Sequence, residues 1–155
     1  MHKCFMGKRT LFVGNSKGQN EKILNMLLSF GAKVYNFSLP FQNIKDIVSI
    51  LGDVRNNHSL EIALQVSAPE IIFYSLQNNV NKAELFETNI MGTVNLLELS
   101  QNLESLNKII ILSDNNETNP IYKASKDAAI IVAKTYEQIF KEKDITLLFK
   151  DFTEI

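Results

Sequence analysis

The chain has a single cysteine, Cys4, and only two histidines, His2 and His58. One thiol excludes an internal disulfide, and so small a donor set without paired Cys argues against a zinc site. No apolar run approaches the roughly 20 residues that a membrane-spanning helix needs. Met1–Lys8 carries basic residues but no apolar stretch after them, so no signal peptide is read there and the cytoplasm is the default compartment. Elsewhere Lys and Arg are scattered singly. A formal charge of −1, from 16 Lys+Arg against 17 Asp+Glu, sets up no field for nucleic acid or an anionic membrane. Neither a repeat nor a low-complexity segment divides the chain. What is present, 45% hydrophobic and 21% charged residues over 155 positions, suits one globular domain spanning 1–155 with a core of its own.

Apolar runs and their punctuation then set the order of elements. RTLFVG, Arg9–Gly14, reads as strand one, and Ile23, Leu24, Leu27 and Leu28 recur at helical spacing until Gly31. Ala32–Phe37 reads as strand two, ended by Pro40. Ile44–Leu51 predicts a turn of helix followed by strand three. Ser59–Val66 predicts a helix closed by Pro69, and Glu70–Tyr74 strand four. A helix is expected from about Glu84 to Leu103, with Gly92 in its middle either packed closely or merely tolerated. Lys108–Leu112 reads as a strand covered on both faces. Ile121–Phe140 predicts one long helix and Ile145–Phe149 strand six. This alternation selects a Rossmann-like doubly wound parallel sheet of about six strands, with the order 3-2-1-4-5-6 by analogy with dinucleotide-binding folds. Gly14, Asp53, Tyr74–Asn79 and Ser113–Asn115 then gather beyond the carboxyl ends of the strands, at the switch point.

Several segments together resemble the extended short-chain dehydrogenase/reductases, the NAD-dependent epimerase/dehydratase family, and within it the CDP-glucose 4,6-dehydratases. They are GKRTLFVG at Gly7–Gly14, FGAKVYNFSLP at Phe30–Pro40, GDVRN at Gly52–Asn56 and PEIIFY at Pro69–Tyr74. LFETNIMGTVNLLEL at Leu85–Leu99, SD at Ser113–Asp114 and YKASK at Tyr122–Lys126 complete the series. Family members are about twice this length, and the portion that supplies most of their sugar-nucleotide pocket is absent here.

The resemblance implies a cofactor site at Gly14, Lys17, Gly18, Asp53 and Lys126, yet the family's GxxGxxG loop has Lys17 and Asn20 on its second and third glycines. Glycine there lets a pyrophosphate approach backbone N–H groups and lets helix and strand pack tightly. Lys17 could offer a charge to a phosphate or be a solvated loop residue, and Asn20 could simply cap the helix. Asp53 matches the acceptor for the adenine amino group, or is an ordinary turn aspartate. Asn89 and Thr93 match polar residues packed under the catalytic strand, or serve helix packing alone.

The resemblance also implies a catalytic set. Tyr122 would take a proton from the sugar, Lys126 would lower the tyrosine pKa, Ser113 would bind the C4 oxygen, and Asp114 would protonate the leaving hydroxyl. A tyrosine and lysine four apart also arise as an aromatic and a cation on an exposed helix turn. Asn115 stands where a dehydratase needs a titratable partner, and only residues 115–121 join Asp114 to Tyr122. Ser75–Asn81 lacks the family's cofactor-lining AAQ.

These losses predict a degenerate, non-catalytic homologue that acts through self-association or a protein partner. The family's dimer, built from the helices around 84–103 and 121–140, would here use Ile90, Val94, Leu97, Ala128, Ile131 and Ile139. No resident cofactor is expected; NAD or NADP is what the resemblance would supply. The alternatives are an active NAD(P)-dependent dehydratase, epimerase or oxidoreductase, and a nucleotide-binding module without catalysis.

Overall fold

Six strands form one sheet, and the central ones are apolar on both faces. The computed structural model describes residues 4–78 and 81–155. In it β1 (Arg9–Val13), β2 (Lys33–Ser38), β3 (Ile47–Leu51), β4 (Ile71–Ser75), β5 (Lys108–Ser113) and β6 (Thr146–Asp151) lie in the order 3-2-1-4-5-6. Every neighbouring pair is parallel. Leu11, Phe12 and Val13 of β1 and Ile72, Phe73 and Tyr74 of β4 are fully buried, as central strands covered on both sides must be.

One layer is α1 (Gln19–Ser29), whose Ile23, Leu24 and Leu27 pack with Phe12, Phe73, Ile110 and Leu112. The opposite layer holds α2 (Asn57–Ser67), α3 (Lys82–Phe86), α4 (Gly92–Ser100), α5 (Pro120–Lys134) and α6 (Glu137–Glu142). Its core joins Leu60, Leu85, Leu96, Tyr122 and Phe140 to Leu11, Ile72 and Ile111 of the sheet. Asn56 and Asn119 cap α2 and α5 with their side chains, and Pro120 sits in the first turn of α5, where its missing N–H costs nothing.

Three expected elements differ. No helical turn precedes β3: the backbone of residues 41–46 is a loop whose last residue, Asp46, has φ 65°. The expected helix 84–103 begins at Lys82, ends at Ser100, and contains a π turn, Glu87–Met91, between α3 and α4. The expected helix 121–140 breaks at Thr135–Tyr136 into α5 and α6. Apolar periodicity continues across both interruptions because all these turns face one core; it does not register a change of helical pitch. Among the described residues no helix is long and apolar enough to cross a membrane. His2 and Asn79, both named above, lie outside the described residues, as do Met1–Lys3 and Val80 of the segments read from sequence.

Candidate functional site

The carboxyl ends of β1 and β4 meet where the sheet order reverses. Gly14 follows β1 with φ 147°, and a Cβ there would lie 3.0 Å from the Ser75 Cβ, so the loop can approach β4 only as glycine. Buried Asn36 holds this turn from below: its Nδ2 donates to the carbonyls of Phe12 at 3.1 Å and Gly14 at 2.9 Å. Sequence reasoning missed Asn36. Its signal was an amide set inside the otherwise apolar strand AKVYNF.

Lys17 has an exposed side chain, while its main-chain N–H donates to Asn15 Oδ1 at 3.0 Å. Gly18, with φ 59°, starts α1 without a side-chain cap. Asn20 is not the cap that the sequence allowed. It is buried within the first turn of α1 and its Oδ1 accepts the Ser75 hydroxyl at 2.9 Å. An amide hydrogen-bonded to β4 thus fills the position where glycine would bring helix, strand and phosphate together. With Lys17 on the second glycine position as well, these residues do not fit the pyrophosphate of NAD or NADP.

Asp53 lines a cavity of about 170 Å³ together with Gly14, Phe37, Ser38, Arg55 and Gln77. Its carboxylate is already engaged. Arg55 Nη2 donates to Oδ2 at 2.6 Å, Nε to Oδ1 at 3.1 Å, and the Arg55 main-chain N–H to Oδ1 at 2.9 Å. The guanidinium hydrogen bond is the main reason the Asp53 carboxyl is held below its usual range. Glu84 and Glu87 approach the same guanidinium at 3.9 and 3.7 Å, so three carboxylates share one cation.

A second cleft, about 410 Å³, runs between the start of α1 and the end of β5, past Lys17, Gly18, Asn20, Ser75, Asn78 and Asp114. Ser75, Asn78 and Asp114, expected to gather beyond the strand ends, thus share this cleft with Lys17, Gly18 and Asn20, while Gly14 and Asp53 line the first cavity. Tyr74, by contrast, is fully buried, with its hydroxyl donating to the Thr88 carbonyl at 3.3 Å.

The π turn aims Asn89 at the loop after β4. Its Oδ1 accepts the Gln77 N–H at 2.7 Å, and its Nδ2 donates to the Gln77 carbonyl at 2.9 Å and the Ser125 hydroxyl at 3.0 Å. Thr93 Oγ1 donates back to the Asn89 carbonyl at 2.6 Å. Asn89 therefore ties α5 to the loop after β4, which favours the packing role.

The residues expected as a catalytic set, Ser113, Asp114, Tyr122 and Lys126, lie at the end of β5, in the turn after it and on α5. Tyr122 is not on an exposed turn: it is fully buried, and its hydroxyl accepts the Asp114 N–H at 2.8 Å. Burial pushes its pKa up to about 12, and the carboxylates of Asp114, Glu117 and Asp151 act in the same direction. Lys126 Nζ donates to Asn115 Oδ1 at 3.2 Å, and the Asn115 N–H donates to Asp151 at 2.7 Å. Asp114 Oδ1 accepts the Asn116 N–H at 2.9 Å, closing a tight turn over residues 114–116. Ser113 ends β5 and is buried.

Of the six apolar residues expected on the outer helix face, Leu97 is instead fully buried in the core. Ile131 is 67% exposed and Ile139 is also exposed, while Ile90, Val94 and Ala128 are half-buried. Met91, on the π turn, is exposed as well.

The sequence profile of the family described as "Polysaccharide biosynthesis protein" matches residues 19–153. The chain is 24% identical over 169 aligned residues to the CDP-glucose 4,6-dehydratase of Salmonella typhimurium, covering 88% of this chain and 47% of that protein. Among solved structures, its fold is similar to the UDP-glucose 4-epimerase of Thermus thermophilus in complex with NAD. The TM-score is 0.74 at 19% identity, over 90% of this chain and 53% of that one. It is also similar to the dTDP-glucose 4,6-dehydratase of Bacillus anthracis in complex with NAD, with a TM-score of 0.70 at 17% identity over 90% and 53% of the two chains. The chain spans about half the length of each of these relatives. It belongs to the polysaccharide biosynthesis protein family and, at low identity, is homologous to the NAD-dependent epimerase/dehydratase superfamily.

Proposed function

We propose that this chain is a non-catalytic homologue of nucleotide-sugar dehydratases and epimerases that acts through association, with itself or with a protein partner. The observation that carries the reading is the state of Tyr122. A general base must reach its substrate proton and hold a pKa near the working pH. This phenol is buried, burial pushes its pKa up to about 12 despite the Asp114 N–H donated to its oxygen, and its charged neighbours are carboxylates. Asn20 and Lys17 on glycine positions remove the phosphate grip, and Asn115 cannot titrate. Exposed Met91, Ile131 and Ile139, on the π turn between α3 and α4, on α5 and on α6, supply the apolar surface for association.

A nucleotide-binding module without catalysis is the second reading, favoured by the cavity beside Asp53. It requires the ligand to compete with Arg55 for that carboxylate. The test is an assay with CDP-glucose and related sugars in the presence of NAD or NADP, followed at the nicotinamide and 4-keto-sugar absorbances. Thermal-shift titrations with adenine nucleotides run alongside. No turnover and no nucleotide response are expected. Turnover that disappears in Tyr122→Phe would overturn the reading and restore a dehydratase, whereas a shift with adenine nucleotides alone would select the binding module.

A further inference from the structure

The two faces of the sheet are covered unequally. α2 to α6 pack on one, whereas among the described residues α1 is the only α-helix on the other. On that side Phe5 stacks on Phe30 at the end of α1 and tilts against Phe73 of β4, and Ile155 joins the same core. These residues wall a cavity of about 360 Å³ whose floor is Phe73, Ile110 and Leu148, one from each of three neighbouring strands. Small-molecule sites have this size and this apolar lining, with a few polar groups that fix orientation.

Here the polar groups are two lysines. Side chains alternate along a strand, so Lys108 shares a face with Ile110 on β5, and Lys150 shares one with Leu148 on β6. Lys150 stands opposite Leu112, four residues beyond Lys108, so roughly 14 Å of mostly apolar floor separates their backbones. Neither ammonium has a hydrogen bond or an ion pair among the described residues. The neighbouring acids are engaged elsewhere. Lys8 and Arg9 hold the Glu70 carboxylate, and the Asp151 carboxylate accepts the Asn115 and Thr153 N–H groups. Glu154 is the one carboxylate in the described lining, and its Oε1 accepts the Asp151 N–H at 2.8 Å. Two free cations therefore border an apolar cavity and favour an anionic end on an apolar body. With Phe5, Glu154 and Ile155 in the walls, the space suits an alkyl chain and not a helix, which is about 10 Å across.

We infer that this cavity binds a single-chain amphiphile of the fatty-acid type, its tail along Ile110 and Leu148 and its carboxylate beside one of the two lysines. The site lies across the sheet from Ile131 and Ile139, so it neither requires nor replaces association through the helices. Cys4, the only thiol in the chain, is exposed and lines the same cavity, which makes it a local reporter. The test titrates the wild-type chain with decanoate below its micelle concentration, reading thermal stability and the rate of Cys4 alkylation by N-ethylmaleimide. Hexanoate, octanoate, decanol and decyltrimethylammonium run beside it, as do phosphatidylglycerol vesicles. The double variant Lys108→Met with Lys150→Met follows, with circular dichroism checking its fold. Decanoate is expected to slow Cys4 alkylation saturably and to raise Tm, with affinity growing up to about fourfold per methylene from hexanoate. The double variant should bind decanoate at least about fivefold more weakly and bind decanol as the wild type does. Alkylation of Cys4 that ignores decanoate overturns the inference. So does decyltrimethylammonium binding as tightly as decanoate, or decanoate affinity indifferent to both lysines, because an apolar surface alone explains either. Vesicles that protect Cys4 where free decanoate does not overturn it in favour of a lipid surface.

Discussion

The Asp114 N–H donates to the Tyr122 hydroxyl at 2.8 Å, so the phenol anchors the turn after β5 from inside the core. Tyr122→Phe leaves that N–H without its acceptor, a loss of about 1–3 kcal/mol for a buried group. In a domain of this size each kcal/mol lowers Tm by roughly 2–4 °C. Lys126→Ala removes a single bond to an exposed asparagine and should stay within about 0.5 kcal/mol. Unequal costs read by thermal melts, with no activity lost in either variant, are the outcome of a structural tyrosine. Equal and small melts would place Tyr122 at the surface.

The same burial sets a pH dependence on the alkaline side. The folded Tyr122 pKa is about 12, against about 10 for an unfolded tyrosine. Between those values the folded chain keeps a proton that the unfolded chain has lost. Its contribution is complete below about pH 10 and is lost as pH rises towards 12, by an amount on the order of 2 kcal/mol. Urea unfolding at about pH 9 and pH 11.5 should show a steeper fall for wild type than for Tyr122→Phe. Part of the slope persists in the variant, because burial raises the Tyr74 pKa as well.

The sheet was legible because its strands are apolar on both faces and its turns are marked by Gly14, Gly31, Pro40 and Pro69. Its parallel character followed from the alternation of elements and its order from the analogy with dinucleotide-binding folds, which the pairing of β1 with both β2 and β4 bears out. The π turn was not legible, since Thr88 and Asn89 are buried by a change of pitch that leaves the apolar spacing of Leu85, Leu96 and Leu97 looking helical. Site residues could be located by position but not by engagement. The family resemblance singles out Asp53 after β3 and Tyr122 at the start of α5; it does not reveal that Arg55 holds one and that the Asp114 N–H donates to the other. Those partners depend on loop geometry within an ångström, which a sequence pattern does not encode.

Asn20 tests the cofactor loop directly. Asn20→Gly removes the acceptor of the buried Ser75 hydroxyl and puts glycine in a helix, together about 2 kcal/mol of destabilisation. If the amide is what closes the phosphate approach, the double variant Lys17→Gly with Asn20→Gly gains a thermal shift with NAD that wild type lacks. A wild type already stabilised by NAD would show that Asn20 is no obstacle.

Gly92 separates packing from propensity. Alanine is the better helix former by about 1 kcal/mol, so on local grounds Gly92→Ala should stabilise the chain. The backbone there needs no glycine, because φ is −59°. Space decides instead. A Cβ at Gly92 would lie 2.5 Å from Val54 Cγ2 and 2.7 Å from the Tyr74 hydroxyl, both well inside contact distance. Tyr74 is fully buried on a central strand and Val54 is nearly so, so neither side chain has room to turn away. Forcing a methyl into such a contact costs about 1–3 kcal/mol, which exceeds the propensity gain through most of that range. The net expectation is a loss of up to about 2 kcal/mol for Gly92→Ala, read as a lower urea midpoint with unchanged slope. Truncating the neighbour, in Val54→Ala with Gly92→Ala, should recover part of that loss by making space for the new methyl. A single variant more stable than wild type would mean that α4 shifts freely against the loop after β3, and the close packing argued for Gly92 would be wrong.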